Sequence, residues 1–284
     1  MDLTNEIGIT TGCDCGDTLE ETLRNIKNAG FSHVMLDRYK DLNADIETTK
    51  RFGLKIPFVH LDGRLSNNLW EQGETGDAYV AQVMREIEIL GRHNIDAGVI
   101  HHSHNNDIIT PARTPNEQAL ANLRKIVEHA EKYRTKLLIE NTDHMEHLAY
   151  LLDNVQSPYL GFCYDSGHHN LFHPEQDLLG KYGDRLGAVH LHDNRMDYFP
   201  GQGWDGDLHL LPFDGKVDFD KVARGIAQSA YNGGTMLETN RGAKIRKTYD
   251  HMTPSEYLQK ARTHGKRLSK LIVESRQGIE RDRT

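Results

Sequence analysis

Bases are the minority charge in this sequence. Lys and Arg number 34 against 42 Asp and Glu, a formal charge of −8. Gripping duplex DNA requires a surplus of Lys and Arg to neutralise phosphates, so nucleic acid is disfavoured as a partner. Cysteine is scarce as well. Cys13, Cys15 and Cys163 are too few, and odd in number, for a disulfide framework, and Cys13 and Cys15 lack the second pair that a zinc knuckle needs. They read as ordinary thiols, which fits a reducing cytoplasm. No apolar run approaches the ~18 to 20 residues that span a bilayer, so no membrane partner is expected. The opening residues MDLTNEIGITTG carry acids where a signal peptide carries bases, and export is not expected. A G-x-G-x-x-G after the first apolar run and a Walker pattern are also missing, which argues against a doubly wound nucleotide-binding sheet.

What the chain does have is an alternation. Short apolar runs recur about eight times, at 7–11, 33–37, 56–61, 97–102, 136–141, 160–165, 187–193 and 234–239. Several are continuous rather than alternating, as expected for parallel strands covered on both faces. Amphipathic stretches lie between them. Asp17-Thr18-Leu19-Glu20 opens the first helix with a capping-box pattern and Gly30 closes it. Further helices are predicted over about 77–92, 115–133, 218–229 and 254–277. Eight strand–helix units with right-handed crossovers close into a (β/α)8 TIM barrel, which commonly takes about 250 residues, and residues 1–284 read as a single α/β domain. One irregular stretch, about 194–217, is too long for a simple connection, and such loops tend to be functional.

In a barrel, chemistry sits at the C-terminal ends of the strands. Of 17 histidines, five (His33, His93, His129, His251, His264) fall at strand starts or on helices, and the other twelve fall at strand ends or in the loops that follow. Glu140, Asp165 and Glu238 end apolar strands five, six and eight, and His190 sits in VHLHD on strand seven. A carboxylate ending a buried strand is costly unless paired, solvated or bound to a cation. Capping of a neighbouring helix or pairing with Arg or Lys is the plainer explanation for Glu140 and Glu238. Four such groups on adjacent strands favour a divalent ion, and mixed carboxylate and imidazole ligands suit Mn²⁺, Zn²⁺, Co²⁺ or Mg²⁺. His168, Asp207, His209, His60, His101 and His102 form a second group around this set. Trp70 and Phe199 are candidate pocket walls, although packing explains most aromatics. Arg241 and Lys244 lie after strand eight, where barrel enzymes often hold phosphate.

Together IEN at 139–141, YDSGHH at 164–169, VHLHDN at 189–194 and LETN at 237–240 resemble the xylose-isomerase-like TIM-barrel superfamily. It contains sugar-phosphate isomerases and epimerases, 3-dehydroshikimate and inosose dehydratases, and endonuclease IV. The resemblance covers about residues 7 to 275. It implies that Glu140, Asp165, His190 and Glu238 hold a divalent metal ion. It also implies that His168 and Arg195 contact substrate, with His60 and His101 beside them. A carboxylate on each side of the substrate can take and return a proton, which assigns that pair of roles to Glu140 and Glu238. The activity implied is isomerisation or epimerisation of a sugar or sugar phosphate through a metal-stabilised enediolate, the substrate being a small carbohydrate-like molecule. Two alternatives stay open. A dehydratase would use the same metal and base, and an endonuclease IV-like phosphodiesterase would use several zinc ions. For the latter His60, His101, Glu140, Asp165, His168, His190, Asp207, His209 and Glu238 all carry suitable side chains. The loop after strand three, DGRLSNNLWEQGETGD, holds more acid than base and favours the small-molecule branch. A homo-oligomer is compatible with this reading, but no residue pattern specifies one.

Overall fold

The computed structural model describes residues 6–103, 114–195, 206–242 and 248–282. Phe199 and Lys244 lie outside these residues. All eight predicted strands are present: β1 (Ile7–Thr10), β2 (His33–Met35), β3 (Phe58–His60), β4 (Ala97–His101), β5 (Lys136–Glu140), β6 (Leu160–Asp165), β7 (Leu186–His190) and β8 (Thr235–Leu237). Their apolar character follows from burial on both faces. Leu137, Leu138 and Ile139 are consecutive on β5 and all fully buried.

Continuous parallel ladders run β2-β1-β8 and β3-β4-β5-β6-β7. Parallel bridges His33↔Lys55 and Leu36↔Val59 join β2 to β3, and Leu191↔Leu237 joins the end of β7 to β8. These close the ring into a (β/α)8 barrel. β2, β3 and β8 are three residues each, shorter than the predicted runs, because at these seams pairing on one side is reduced to isolated bridges.

The outer ring consists of α1 (Leu19–Asn28), α2 (Leu42–Arg51), α3 (Gly73–Arg92), α4 (Glu117–Tyr133), α5 (Met145–Asn154), α6 (Ser166–Phe172), α7 (Leu178–Tyr182), α8 (Phe219–Gln228) and α9 (Pro254–Asp282). A 3-10 helix, Gly63–Trp70, follows β3. The capping box of α1 is shifted by one residue from the predicted frame. Thr18 is the N-cap and accepts from the Glu21 amide at 3.2 Å, while the Glu21 carboxylate accepts from the Asp17 amide at 2.9 Å. The box needs its acid three residues after the capping hydroxyl, which selects Glu21 over Glu20. No helix of the described residues is long and apolar enough to cross a membrane.

The irregular stretch is folded back by Asp193. Its carboxylate accepts from the amides of Asn194 (2.8 Å), Gly215 (2.8 Å) and Val217 (2.9 Å), and its backbone pairs in both directions with Leu210. Three amides on one carboxylate fix the returning chain over the barrel mouth. This is what delivers Asp207 and His209 to the strand ends.

Candidate metal centre and active site

Glu140, Asp165 and His190 are the last residues of β5, β6 and β7, and Glu238 follows β8. Parallel strands that all end at one face bring their final side chains together. One ligand atom from each of the four lies within 4.8 Å of those of the others. The His190 Nδ1 is 3.1 Å from Glu140 Oε2 and 3.2 Å from Glu238 Oε2. Glu140, Asp165 and His190 are fully buried, and Glu238 nearly so.

Two more groups adjoin this one. His60, His101 and Glu140 converge from β3, β4 and β5, with both Nε2 atoms 3.4 Å from Glu140 Oε2. His168, His192, Asp207 and His209 form the third. The four candidate ligands, the two strand-end histidines and the three additional residues proposed from sequence are thus assembled around one space, with Glu140 shared. A cavity of about 540 Å³ opens onto it, lined by His60, His101, His168, Asp207, His209 and Glu238 together with the loops after β2 and β3. That size suits a small molecule.

Hydrogen bonds orient the rings. His60 Nδ1 donates to the Leu61 carbonyl (2.9 Å), His168 Nδ1 to Asn141 (3.0 Å) and His209 Nδ1 to Glu238 (2.8 Å). In each case the Nε2 is left to face the interior, the arrangement that presents an imidazole to a metal. Asn141 also clamps β5 to β6, donating to the Asp165 carbonyl and accepting from the Asp165 amide at 2.9 and 2.8 Å.

The motif 165–168 is now legible residue by residue. Asp165 caps α6, accepting from the His168 amide at 2.7 Å. Ser166 ties β6 to β7, donating to the His192 carbonyl (2.8 Å) and accepting from its amide (3.0 Å). A Cβ on Gly167 would lie 1.9 Å from His192 Cε1, so only glycine fits there. His168 then points into the site.

Burial and neighbouring charge pull against each other at Glu140, His60 and Asp207. Burial opposes ionisation of Glu140, yet the His190 and His101 imidazoles outweigh it and hold the carboxyl well below the usual carboxylate range. Burial would lower His60, but the Glu140 carboxylate pushes it up to about 9. Burial would likewise raise Asp207, and His209 and His168 hold it well below its ordinary value. Beyond their ionic contacts with one another, both Glu140 oxygens, both ring nitrogens of His190 and of His192, Asp165 Oδ2, Asp207 Oδ1 and Glu238 Oε2 are buried and have no hydrogen-bond partner among the described residues. Buried polar atoms in such number require an explanation. A cation bound by carboxylates and imidazoles supplies one, and Mn²⁺, Co²⁺, Zn²⁺ and Mg²⁺ all fit the donor set. Cys163 also reaches Glu140 and His190, but burial pushes its thiol up to about 12, and a thiol is a poor ligand.

Several predicted positions fall elsewhere. His102 turns away from the site, its Nε2 2.7 Å from Thr142 Oγ1 and its Nδ1 3.0 Å from Ser103 Oγ. Trp70 packs against the His147 ring at 4.5 Å, donates to the His102 carbonyl and is not among the cavity-lining residues. Arg195 is exposed and is also not among them. Arg241 holds the β1 loop, donating to the carbonyls of Asp14 and Met252. His192 was not singled out from sequence, although it stands two residues from His190 in VHLHD, the period at which strand side chains share a face.

Comparison with known proteins places this geometry. Over 298 residues the chain is 26% identical to the uncharacterized protein y4fM of Sinorhizobium fredii, covering 91% of each. It is 26% identical over 129 residues to an inosose dehydratase of Bacillus velezensis, covering 42% of this chain and 41% of that one. Among solved structures, a xylose isomerase-like TIM barrel/4-hydroxyphenylpyruvate dioxygenase fusion protein superposes with a TM-score of 0.74 at 18% identity. That match covers 98% of this chain, which spans only 44% of the fusion's length. The 3-keto-D-glucoside 4-epimerase of E. coli superposes at 0.66 and 19% identity, covering 90% of this chain and 99% of that one. The family model described as xylose isomerase-like TIM barrel matches residues 23–255, and the chain belongs to that family.

Proposed function

We propose that this chain is a divalent-metal-dependent isomerase or epimerase that moves a proton on a sugar or sugar phosphate. The observation that carries this reading is the convergence of Glu140 and Glu238 on His190, at 3.1 and 3.2 Å, beside Asp165 at the ends of four consecutive strands. Glu140, Asp165, His190 and Glu238 would hold the ion. When bound, it supplies Lewis-acid stabilisation of the negative charge that develops on neighbouring substrate oxygens. Glu140 and Glu238 enter from opposite ends of this strand set, and both are held ionised by His190 against the effect of burial. One takes a proton from the substrate carbon and the other returns one. His168, fixed by the Asn141 carbonyl, would donate to a substrate oxygen. The sugar-epimerase fold neighbours support the substrate class.

Two observations favour other outcomes of the same site. The inosose dehydratase relatives favour a dehydration, in which the same proton removal is followed by loss of a β-hydroxyl. The further groups His60–His101–Glu140 and His168–His192–Asp207–His209 favour phosphodiester hydrolysis by several ions. Elemental analysis followed by NMR in D₂O separates the three. About one ion per chain, with deuterium entering ketoses and with Glu238→Gln silent in exchange but still loaded, is the expected result. Conversion of an inosose or dehydroshikimate to its dehydrated product selects the dehydratase. About three zinc ions per chain with cleavage of abasic DNA selects the nuclease and overturns the proposal.

A further inference from the structure

We infer that Arg38 and Arg64 form an oxyanion grip on the part of the cavity wall made by the loops after β2 and β3, so that the substrate carries a phosphate or carboxylate. This rests on the reading of the site as a small-molecule enzyme and names the substrate class it takes.

Part of the cavity wall is built by the loops after β2 and β3, which contribute Asp37, Arg38, Tyr39, Leu61, Asp62, Gly63 and Arg64. Arg38 and Arg64 are the Lys or Arg side chains that line the cavity, among the described residues. Arg241 is spent on holding the β1 loop.

Arg64 is anchored for this task. Its Nε lies 2.9 and 3.0 Å from the two Asp62 carboxylate oxygens, and its Nη2 also bonds Asp62. Asp62 is itself fixed, because its amide donates to the Tyr39 hydroxyl (2.9 Å) and its carbonyl accepts from Gln82 (3.3 Å). Tyr39 in turn donates to the buried Glu86 at 2.8 Å. The chain Glu86–Tyr39–Asp62–Arg64 therefore runs from the protein interior to the cavity wall. Among the described residues, Asp62 occupies the Nε edge of the guanidinium and leaves the Nη1 edge for a second oxyanion, the fork geometry that matches phosphate and carboxylate.

Arg38 is set by backbone rather than by a carboxylate alone. Its φ is +56°, a left-handed conformation that is strained for a residue with a side chain and persists where surrounding structure imposes it. The neighbouring Asp37 supplies that constraint. Its amide accepts no freedom from the loop, since it donates to Thr11 Oγ1 at 3.1 Å while Thr11 Oγ1 donates back to the Asp37 carbonyl at 3.3 Å. Asp37 Oδ2 then lies 3.5 Å from Arg38 Nε. Each guanidinium is thus steadied by an acid next to it in the loop, and the two loops belong to neighbouring strands. A neutral ketose would offer them only hydroxyl oxygens, without the charge pairing of an oxyanion.

The test is calorimetric titration of the Mn²⁺-loaded protein with D-fructose 6-phosphate, D-gluconate and D-fructose, repeated on Arg38→Gln, Arg64→Gln and the double variant. The expected result is at least a tenfold preference for one or both anionic probes over D-fructose. Each single variant weakens that preference and the double variant abolishes it. Preference for the phosphate alone, or for the carboxylate alone, identifies the group. Wild-type protein without preference for an anionic probe, or a preference that survives in the double variant, overturns the inference. Metal content of the variants is measured alongside. If Arg38 and Arg64 variants keep both their ion and the preference, the grip fails while the proposed activity stands. If the wild-type protein binds no ion, the proposed activity fails on its own.

Discussion

The Nε2 atoms of His60 and His101 lie 3.1 Å apart, both 3.4 Å from the same Glu140 oxygen. With its Nδ1 committed to the Leu61 carbonyl, His60 has only Nε2 to offer this contact. Two ring nitrogens and a buried carboxylate at such distances need a positive charge among them. On the proposed reading a bound metal ion would supply it. If the proposed ion binds there, stability depends on it. A free concentration one hundredfold above Kd contributes about 2.7 kcal/mol, which for a chain of this size corresponds to roughly 5–10 °C in Tm. Thermal scans with and without EDTA are expected to differ by that amount, and Mn²⁺ is expected to restore the higher value. Superimposable scans would show that no ion is held here.

Gly167 and His192 are expected to behave as a matched pair. Gly167→Ala places a methyl 1.9 Å from His192 Cε1 and should cost about 1–3 kcal/mol through overpacking. In a His192→Ala background the same change should cost far less. Urea unfolding of the two single variants and the double variant gives the coupling, and additive effects would mean that the two residues do not meet.

Glu86 sets a pH dependence of stability away from the strand-end ligands. Burial raises its carboxyl to about 7, against the opposing hydrogen bond from Tyr39. The folded chain therefore holds a proton that the unfolded chain releases near the ordinary carboxylate value. The stabilisation is complete below about pH 4.5 and is lost as pH rises toward 7. Glu86→Gln should flatten that slope and exceed the wild type at pH 8 by on the order of 2–3 kcal/mol. Parallel pH–stability curves for the two proteins would contradict this assignment.

Asp193→Ala removes the acceptor of three backbone amides. Charge-assisted bonds of this kind are worth about 1.5–3 kcal/mol each, and a loss of roughly 3 kcal/mol or more is expected. The segment carrying Asp207 and His209 should then become a site of early cleavage in limited proteolysis. Unchanged digestion would mean that contacts other than Asp193 hold that segment.

Strand ends were the legible part of the site. In a parallel barrel every strand finishes at the same face, so Glu140, Asp165, His190 and Glu238 could be grouped once the apolar runs were found. Their meeting within 4.8 Å follows from that topology. His101 and His102 were harder, because adjacent strand residues point to opposite sides. His101 faces Glu140, while His102 faces Thr142. Nothing in the run AGVIHH alone says which is which.

The sequence by itself determined the periodicity, the eight strands and the kind of donor at each strand end, because burial on both faces and the turn signals are local properties of the chain. Only the tertiary structure decided what the loops contribute. His192 joins the candidate metal-binding group because Gly167, on α6, leaves room for its ring. Asp207 and His209 reach the site because Asp193 folds the chain back through three amides. Arg64 lines the cavity beside Asp62, and Tyr39 and Glu86 fix Asp62 from distant segments of the chain. Those choices are made by contacts between segments distant in the chain, and a local pattern of residues carries no record of them.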